Sequence, residues 1–402
     1  RRLSIHNREH NVLKNITESR IHSVFIFKVD ELPEPFMGTL FTNFKLLKVL
    51  DFEDAPLDYV PEEVGNLFHL RYLSVRNTKV MTLPKSIGRL HNLLTLDLKY
   101  SLVSELPIEI KRLHKLRHLL AYSFDDKIDF PLDRQQGVKI QEGFGCLEAL
   151  QKLYFVEINH GHNLLKELRR LRQLRKLGIK KLKSEDGKVL CTAIENMNHL
   201  ETLCISSGNG DGIIDLQYIS SLPRSLRRLY LRGHLGKFPV CISKLENLVR
   251  IGLYCSGLTE DPLKFLQDLP SLLQLSLFGG YDGELLSFEE GGFQKLKVLQ
   301  LQYLNALNSV IINNDALPLL QELVIGPCPQ LKEVPSGIRH LSNLTTLRFS
   351  GMPREFNDRM LPNKGQDYQV VKHIPTVLFQ EKREGGRYAT YSLWRFAKGS
   401  TR

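Results

Sequence analysis

The sequence predicts an α/β solenoid, with a parallel sheet of about fifteen short strands on the concave side and irregular or short-helical segments on the convex side. Three observations predict it. A hydrophobic triplet, L-x-x-L-x-L, recurs along most of the chain; a second frame, L-P-x-x-I-x-x-L, recurs between copies of the first. The chain itself, 402 residues at 42% hydrophobic and 25% charged, exceeds the usual size of one globular core, so several domains or a repeat array must absorb it.

The triplet begins at Leu47, Leu70, Leu93, Leu116, Leu150, Leu174, Leu200, Leu226, Leu248, Leu272, Leu296, Leu320 and Leu344, and most steps are 22 to 26 residues. Self-similarity at that period marks units that each lay one short strand beside the last and return along the other side. Irregular versions at Leu3 and Ile5, and at Ile21, Val24 and Ile26, extend the array to the N-terminus. In Leu93-Leu94-Thr95-Leu96-Asp97-Leu98, strand alternation sends Leu96 and Leu98 into the core and Thr95, Asp97 and Lys99 to solvent. The return half, Leu83-Pro84-Lys85-Ser86-Ile87-Gly88-Arg89-Leu90, points its aliphatic residues into the same core. Its frame recurs from Val60, Leu106, Phe238 and Val334.

Three segments follow from this spacing. Residues 1–46 form irregular N-terminal repeats that join a missing upstream region, residues 47–351 the regular repeats, and residues 352–402 a C-terminal cap and tail carrying Tyr388, Tyr391, Trp394 and Phe396. The step from Leu116 to Leu150 lengthens to 34 residues, and its polar, turn-rich excess near 123–143 reads as a loop protruding from the array. The chain opens on Arg1-Arg2-Leu3 without Met, as expected of a piece cut from a longer protein.

Composition and motifs exclude several classes. No apolar run approaches the roughly 20 residues of a membrane span, and the N-terminus has no apolar signal segment. Six scattered cysteines without a C-x-x-C pair point to a reducing compartment. Asn15-Ile16-Thr17 and Asn343-Leu344-Thr345 match the glycosylation sequon, but Leu344 falls at a core position of the repeat. There is no phosphate loop, dinucleotide fingerprint, nucleophile elbow or zinc spacing, so neither catalysis, a metal nor a cofactor is expected in this segment. His160-Gly161-His162 and the pair His114 and His118 are incidental among thirteen histidines, and the acidic run from Ser287 to Gly292 is a solvated turn. The basic run Lys166 to Lys181 resembles an amphipathic helix when read alone. In the repeat frame, Leu168 and Leu171 fill the core, and Leu174, Leu177 and Ile179 belong to the next strand.

The concave face is the candidate binding surface. Its first strands present Asp51, Glu53, Arg76 and Asp97. Later strands present Tyr122, Lys152, Tyr154, Lys176, Lys180, Arg228, Tyr230, Arg232, Arg250, Tyr254, Phe278 and Tyr303. Aromatics interleaved with Arg and Lys are enriched in protein-recognition hot spots. The net charge of +11 would also suit nucleic acid, but no base-reading module is present and a protein ligand is expected instead.

Arg1-Arg2-Leu3-Ser4-Ile5-His6, Leu47-Lys48-Val49-Leu50-Asp51-Phe52 and Leu70-Arg71-Tyr72-Leu73-Ser74-Val75 followed by Leu83-Pro84-Lys85-Ser86-Ile87 resemble the leucine-rich-repeat domain of plant coiled-coil nucleotide-binding disease resistance proteins, over nearly the whole chain. The resemblance implies a cytoplasmic sensor, or one peripheral at the plasma membrane, that binds a pathogen effector or guarded host protein and holds its own nucleotide-binding module off. ADP or ATP would sit on that upstream module, and oligomers would form only in the full-length activated receptor. It also implies that Asp51, Glu53, Arg76 and Asp97 face the nucleotide-binding module while the aromatic and basic half faces the ligand. The rival expectation is a cytosolic repeat adaptor, such as the substrate-recognition part of a ubiquitin ligase.

Overall fold

The computed structural model describes residues 2–5, 20–27, 29–32, 34–124, 135–158, 162–207, 212–362, 364–382 and 388–393. They divide into two compact units, Arg1–Leu182 with Val189–Cys204, and Lys183–Lys188 with Ile205–Arg402.

In the first unit, each triplet supplies one short strand. β1 (Arg2–Ile5), β2 (Ser23–Ile26), β3 (Val49–Asp51), β4 (Tyr72–Ser74), β5 (Thr95–Asp97) and β6 (His118–Leu120) pair in parallel in chain order. Beyond β6 come a short antiparallel hairpin, β7 (Ser123–Phe124) with β8 (Gln135–Gln136), and a two-residue strand, β9 (Val138–Lys139). β10 (Lys152–Glu157) then pairs in parallel with β6, with β9 and with β11 (Lys176–Leu182). The register places Leu50, Leu73, Leu96, Leu119, Leu153 and Leu177 side by side, each at most 1% exposed. A three-residue strand has too little surface to bury its own leucine. The neighbours above and below do it, at roughly 1.5–3 kcal/mol per leucine side chain.

The division between units falls within β12 (Thr202–Ser207). In the second unit the parallel order is β13 (Arg228–Arg232), β14 (Arg250–Tyr254), β15 (Gln274–Phe278), β17 (Val298–Gln302), β19 (Glu322–Ile325), β20 (Thr346–Ser350) and β21 (Thr376–Lys382). Leu229, Ile251, Leu275, Leu299, Leu323, Leu347 and Val377 form the matching core row. Two strands on the return side, β16 (Leu285–Phe288) and β18 (Ser309–Ile312), pair in parallel with each other and bury Leu286, Phe288, Val310 and Ile312. The alternation Leu286-Ser287-Phe288 explains why these returns are extended where others coil.

All five copies of the proline frame fold alike. A proline opens a single turn of 3-10 helix at Glu62–Asn66, Lys85–Arg89, Ile108–Arg112, Val240–Lys244 and Ser336–His340. The leucine closing each turn donates its N–H to a carbonyl three residues back. The residue before the next triplet recurs as Asn, and its side-chain amide bonds the preceding return: Asn92 to the Phe68 carbonyl (2.9 Å), Asn247 to Arg224 (2.9 Å) and Asn343 to Pro318 (2.7 Å). The asparagine of the second sequon is therefore a structural member of the repeat. The first sequon lies outside the described residues.

Two stretches differ from the sequence expectation. Around 123–143 the repeat resumes before Gly143: the Lys139 N–H donates to the Ser104 carbonyl, the Leu106 N–H to the Lys139 carbonyl, and Val138, Ile140, Phe144 and Leu147 are buried. Ile140 to Leu147 has the seven-residue spacing of Leu106 to Leu113 without the proline, which is why the frame was hidden. Residues 125–134 lie outside the described residues. Past Gly351 the array gains one more repeat, because β21 buries Val377 and Phe379 beside Leu347 and Phe349. Its triplet reads Ile374-x-x-Val377-x-Phe379, with no Leu at any of the three positions. β22 (Tyr388–Ser392) then pairs antiparallel and covers the last edge, carrying Tyr391; Trp394 and Phe396 lie outside the described residues. The basic run divides between two elements. α2 (His162–Leu168), which follows α1 (Glu34–Asn43), buries Leu164, Leu165 and Leu168, and β11 buries Leu177 and Ile179.

All six cysteines lie among the described residues and none is in a disulfide. Burial pushes the Cys328 thiol up to about 11, and its Sγ lies 3.8 Å from the Leu301 carbonyl oxygen. A thiol reagent at pH 8 is expected to label exposed Cys146 in the native chain and Cys328 only after denaturant is added; equal rates for the two would contradict the buried placement. Leu96→Ala is expected to lose about 2–5 kcal/mol in urea unfolding, and Thr95→Ala, half-buried on the other side of the same strand, well under half of that.

Candidate protein-binding face

The side of the sheet that faces away from the core carries rows of residues set by the parallel register, two in the first unit and three in the second. In the first unit one row runs Val49, Tyr72, Thr95, His118, Lys152, Lys176, and another Asp51, Ser74, Asp97, Leu120, Tyr154. Asp51 and Asp97 are 7% and 4% exposed with Ser74 fully buried between them. Asp51 Oδ1 accepts the Glu53 N–H (3.1 Å). Asp97 Oδ1 accepts the Lys99 N–H (3.0 Å), and its Oδ2 pairs with Lys99 Nζ (3.0 Å). Burial pushes the Asp51 carboxyl above its ordinary range, opposed by a hydrogen bond from Ser74, with the Asp97 charge adding to the rise. Burial and the same carboxylates push the Tyr72 phenol up to about 12. Glu53 and Arg76 pair at 3.2 Å, with about a third of each side chain exposed (34% and 37%).

Next to this acidic patch lies an aromatic cluster. The Arg76 guanidinium sits 5.7 Å above the Tyr100 ring, Tyr100 meets Tyr122 edge-on at 6.2 Å, and Tyr122 meets Tyr154 at 6.0 Å and Phe155 at 5.9 Å. Lys180 Nζ lies 5.8 Å from the Phe155 ring centre, and Lys181 pairs with Glu157 at 2.7 Å. His118, hydrogen-bonded to Thr95 (3.0 Å), is held below its ordinary pKa by burial and by Lys152 and Arg117. His114 is instead placed 3.3 Å from the Cys146 carbonyl oxygen, so the two histidines serve different neighbours. His160 is outside the described residues. Among the described residues no three His, Cys, Asp or Glu side chains are grouped as metal ligands.

In the second unit the rows are Arg228, Arg250, Gln274, Val298, Glu322; then Tyr230, Gly252, Ser276, Gln300, Val324, Arg348; then Arg232, Tyr254, Phe278, Gln302. Tyr254 and Phe278 of the last row and Tyr303 just beyond it lie side by side with tilted rings, their centres 6.2 Å and 4.4 Å apart. Tyr254 folds back over Gly252: a methyl group added there would meet the Tyr254 ring at 2.5 Å and the Tyr230 ring at 3.0 Å. The absent side chain leaves room for the two tyrosine rings to lie against the strand there. On the return side, a hollow of about 660 Å³ lies among Ile213, Leu216, Phe238, Val240, Lys237 and Lys244.

Comparison with known proteins agrees with this geometry. A family model described as "Leucine-rich repeat region" matches residues 20–363. The chain belongs to the leucine-rich-repeat family. Disease resistance protein RPP8 of Arabidopsis thaliana is 29% identical over 94% of this chain and 41% of its own length. Disease resistance protein RPM1 of the same plant is 34% identical over 87% of this chain and 37% of its own. The leucine-rich-repeat domain described here thus spans about two fifths of the length of these relatives. A solved leucine-rich-repeat protein of Leptospira interrogans shares the fold at a TM-score of 0.56 and 21% identity, over 90% of this chain and 93% of that one. No helix among the described residues is long and apolar enough to cross a membrane.

The repeat family makes the placement of the predicted residues intelligible. Tyr122, Lys152, Tyr154, Lys176 and Lys180 lie in the first unit; Arg228, Tyr230, Arg232, Arg250, Tyr254, Phe278 and Tyr303 lie in the second, so each group is a surface of its own. Asp97, expected in solvent, is buried, as are Asp51, Arg232 (6%) and Phe278 (6%), because neighbouring rows close over small gaps in the middle of so narrow a sheet. Sequence alternation missed Tyr100 and Phe155. Tyr100 follows the strand in a left-handed turn (φ 58°) shared at the same repeat position by Asp54 (61°) and Asn77 (51°), and in the second unit by Cys255 (49°), Gly279 (56°) and Tyr303 (54°). The recurrence of Asp, Asn and Gly there is the signal that could have found the turn.

Asp51 supplies a pH test. Its folded pKa is raised, so its charge opposes folding once the pH climbs above the value it has in the unfolded chain, and that penalty is full above the folded value. Asp51→Asn keeps an acceptor for the Glu53 N–H, and is expected to match or exceed the parent in thermal stability at pH 7 and to lose that relative advantage on acidification through the carboxylate range. A variant less stable at pH 7 than at pH 4, relative to the parent, would show that the charge is needed.

Proposed function

We propose that this chain is the ligand-sensing and autoinhibitory repeat domain of a cytoplasmic plant immune receptor, and that it works by binding, not by catalysis. The observation that carries the proposal is the second unit's aromatic row, Tyr254–Phe278–Tyr303, beside Tyr230, on a repeat domain whose relatives are disease resistance proteins. Tyrosines of this kind offer large contact area at low entropic cost, and Tyr303 holds its ring from a left-handed backbone position that ordinarily favours Gly or Asn.

In this reading, a pathogen effector or a guarded host protein docks on the second unit. The first unit's Glu53–Arg76 pair faces the receptor's own nucleotide-binding module, where ADP or ATP would reside. Buried Asp51 and Ser74 hold the strand-end turns that aim this pair, accepting the Glu53 and Arg76 N–H groups, and buried Asp97 does the same for the next turn at Lys99. A ligand that fits better once the restraint is released shifts the receptor toward its active state.

The test uses the full-length receptor expressed in leaves and challenged with the pathogen isolate that triggers it. Tyr254→Ala with Tyr303→Ala is expected to cut the triggered response by about ten-fold or more while the receptor stays quiet without challenge, since hot-spot tyrosines each contribute above about 1 kcal/mol. Glu53→Ala with Arg76→Ala is expected to raise the unchallenged response. An unaltered triggered response in the tyrosine variant, at equal receptor abundance, sinks the assignment of this face.

A further inference from the structure

Arg228 and Arg250 are register partners on adjacent parallel strands, β13 and β14, and both are exposed on the open face of the sheet. Adjacent strands lie about 4.8 Å apart, so two like charges stand directly opposite each other, an arrangement that destabilises a sheet. Neither guanidinium has a hydrogen-bond or ion-pair partner among the described residues. Several other charges on these faces are matched across or along the strands: Glu322 with Arg348 at 3.7 Å in the same unit, and Glu53 with Arg76, Asp97 with Lys99 and Glu157 with Lys181 in the other, where Lys152 and Lys176 form a second like-charged register pair. The second unit's sheet thus keeps an uncompensated pair of arginines next to Tyr230 and Tyr254, whose rings cover Gly252.

We infer that Arg228 and Arg250 form an anion subsite that receives an acidic side chain of the protein ligand, with an apolar or aromatic ligand side chain seated next to it on Tyr230 and Tyr254. Two guanidiniums at strand spacing can each donate a pair of N–H bonds to one carboxylate or to two neighbouring ones, and the anion removes their mutual repulsion. The subsite is short. Its row continues into Gln274, Val298 and Glu322, neutral and then acidic, whereas a nucleic-acid strand needs a cationic track along successive phosphates. From the arginine row to the tyrosine row is two residues along the strand, roughly 7 Å, so in an extended ligand the acidic and apolar side chains are two residues apart. This inference rests on the reading of the chain as a protein-binding domain and specifies what its second unit selects.

The test measures fluorescence anisotropy of short labelled peptides that alternate glutamate with tryptophan at every second position, added to the 402-residue chain. A peptide with glutamine in place of each glutamate is the comparison, and oligothymidine the competitor. The glutamate peptide is expected to bind about ten-fold or more tightly than the glutamine peptide, in line with the strength of charge-assisted hydrogen bonds. Arg228→Gln with Arg250→Gln is expected to abolish that preference, Arg228→Lys with Arg250→Lys to restore part of it, and Lys237→Gln with Lys244→Gln on the return side to leave it intact. The glutamine variant is also expected to melt no lower than the parent, because a repulsion has been removed. Equal affinity for the two peptides, an equal loss in the return-side variant, or stronger binding of oligothymidine through the same two arginines overturns the inference. Peptide discrimination through Arg228 and Arg250 in a receptor whose Tyr254 and Tyr303 variant still responds would leave the subsite standing and remove the receptor reading alone.

Discussion

Everything in this molecule depends on the inability of a three- to five-residue strand to bury its own leucine. Leu96 has its neighbours Leu73 and Leu119 in register on either side, and Leu275 has Ile251 and Leu299; each row is dry only because the next repeat is present. The constraint is one-dimensional, and it fixes spacing more strictly than identity. Phe144 replaces the return-half isoleucine, Val377 the strand leucine, and Asn92, Asn247 and Asn343 tie successive returns with the same amide bond.

That economy leaves the open side of the sheet with little structural duty, and its chemistry is correspondingly varied. Where the face is acidic, two carboxylates are taken inward to hold the backbone of the strand-end turns, while the Glu53–Arg76 pair reaches solvent. Where it is aromatic, the left-handed turn that ends each strand swings Tyr100 or Tyr303 beside a ring of the neighbouring repeat. The turn costs each non-glycine residue some backbone strain. The array repeats it because a parallel strand this short must leave the sheet abruptly.

Charge on these faces follows the same logic. Coulomb energy between side chains one strand apart is large enough that most are paired, and a row that leaves Arg228 and Arg250 opposite each other is stable only because the leucines beneath supply far more than the repulsion removes. A repeat array can carry such locally unfavourable groups more readily than a small globular core, since each repeat's stability is shared with its neighbours.

The sequence by itself determined the class of fold, the strand positions, the core rows and the proline-led returns, because all of these follow from periodic spacing. It also pointed to the family through phrases such as Leu70-Arg71-Tyr72-Leu73 and Leu83-Pro84-Lys85-Ser86-Ile87. Only the tertiary structure decided which face residues are reachable. Alternation assigns a side to Asp97 or Phe278, but whether the next strand's side chain closes over it depends on the size of that neighbour, some 23 or 24 residues away in sequence. The same holds for Gly252, whose missing side chain matters because Tyr254 leans into the space, and for the residues after β7, where a return half without its proline became visible only through Leu106 and Lys139. Periodicity is a property of one chain read along its length, whereas burial and charge balance arise between rows.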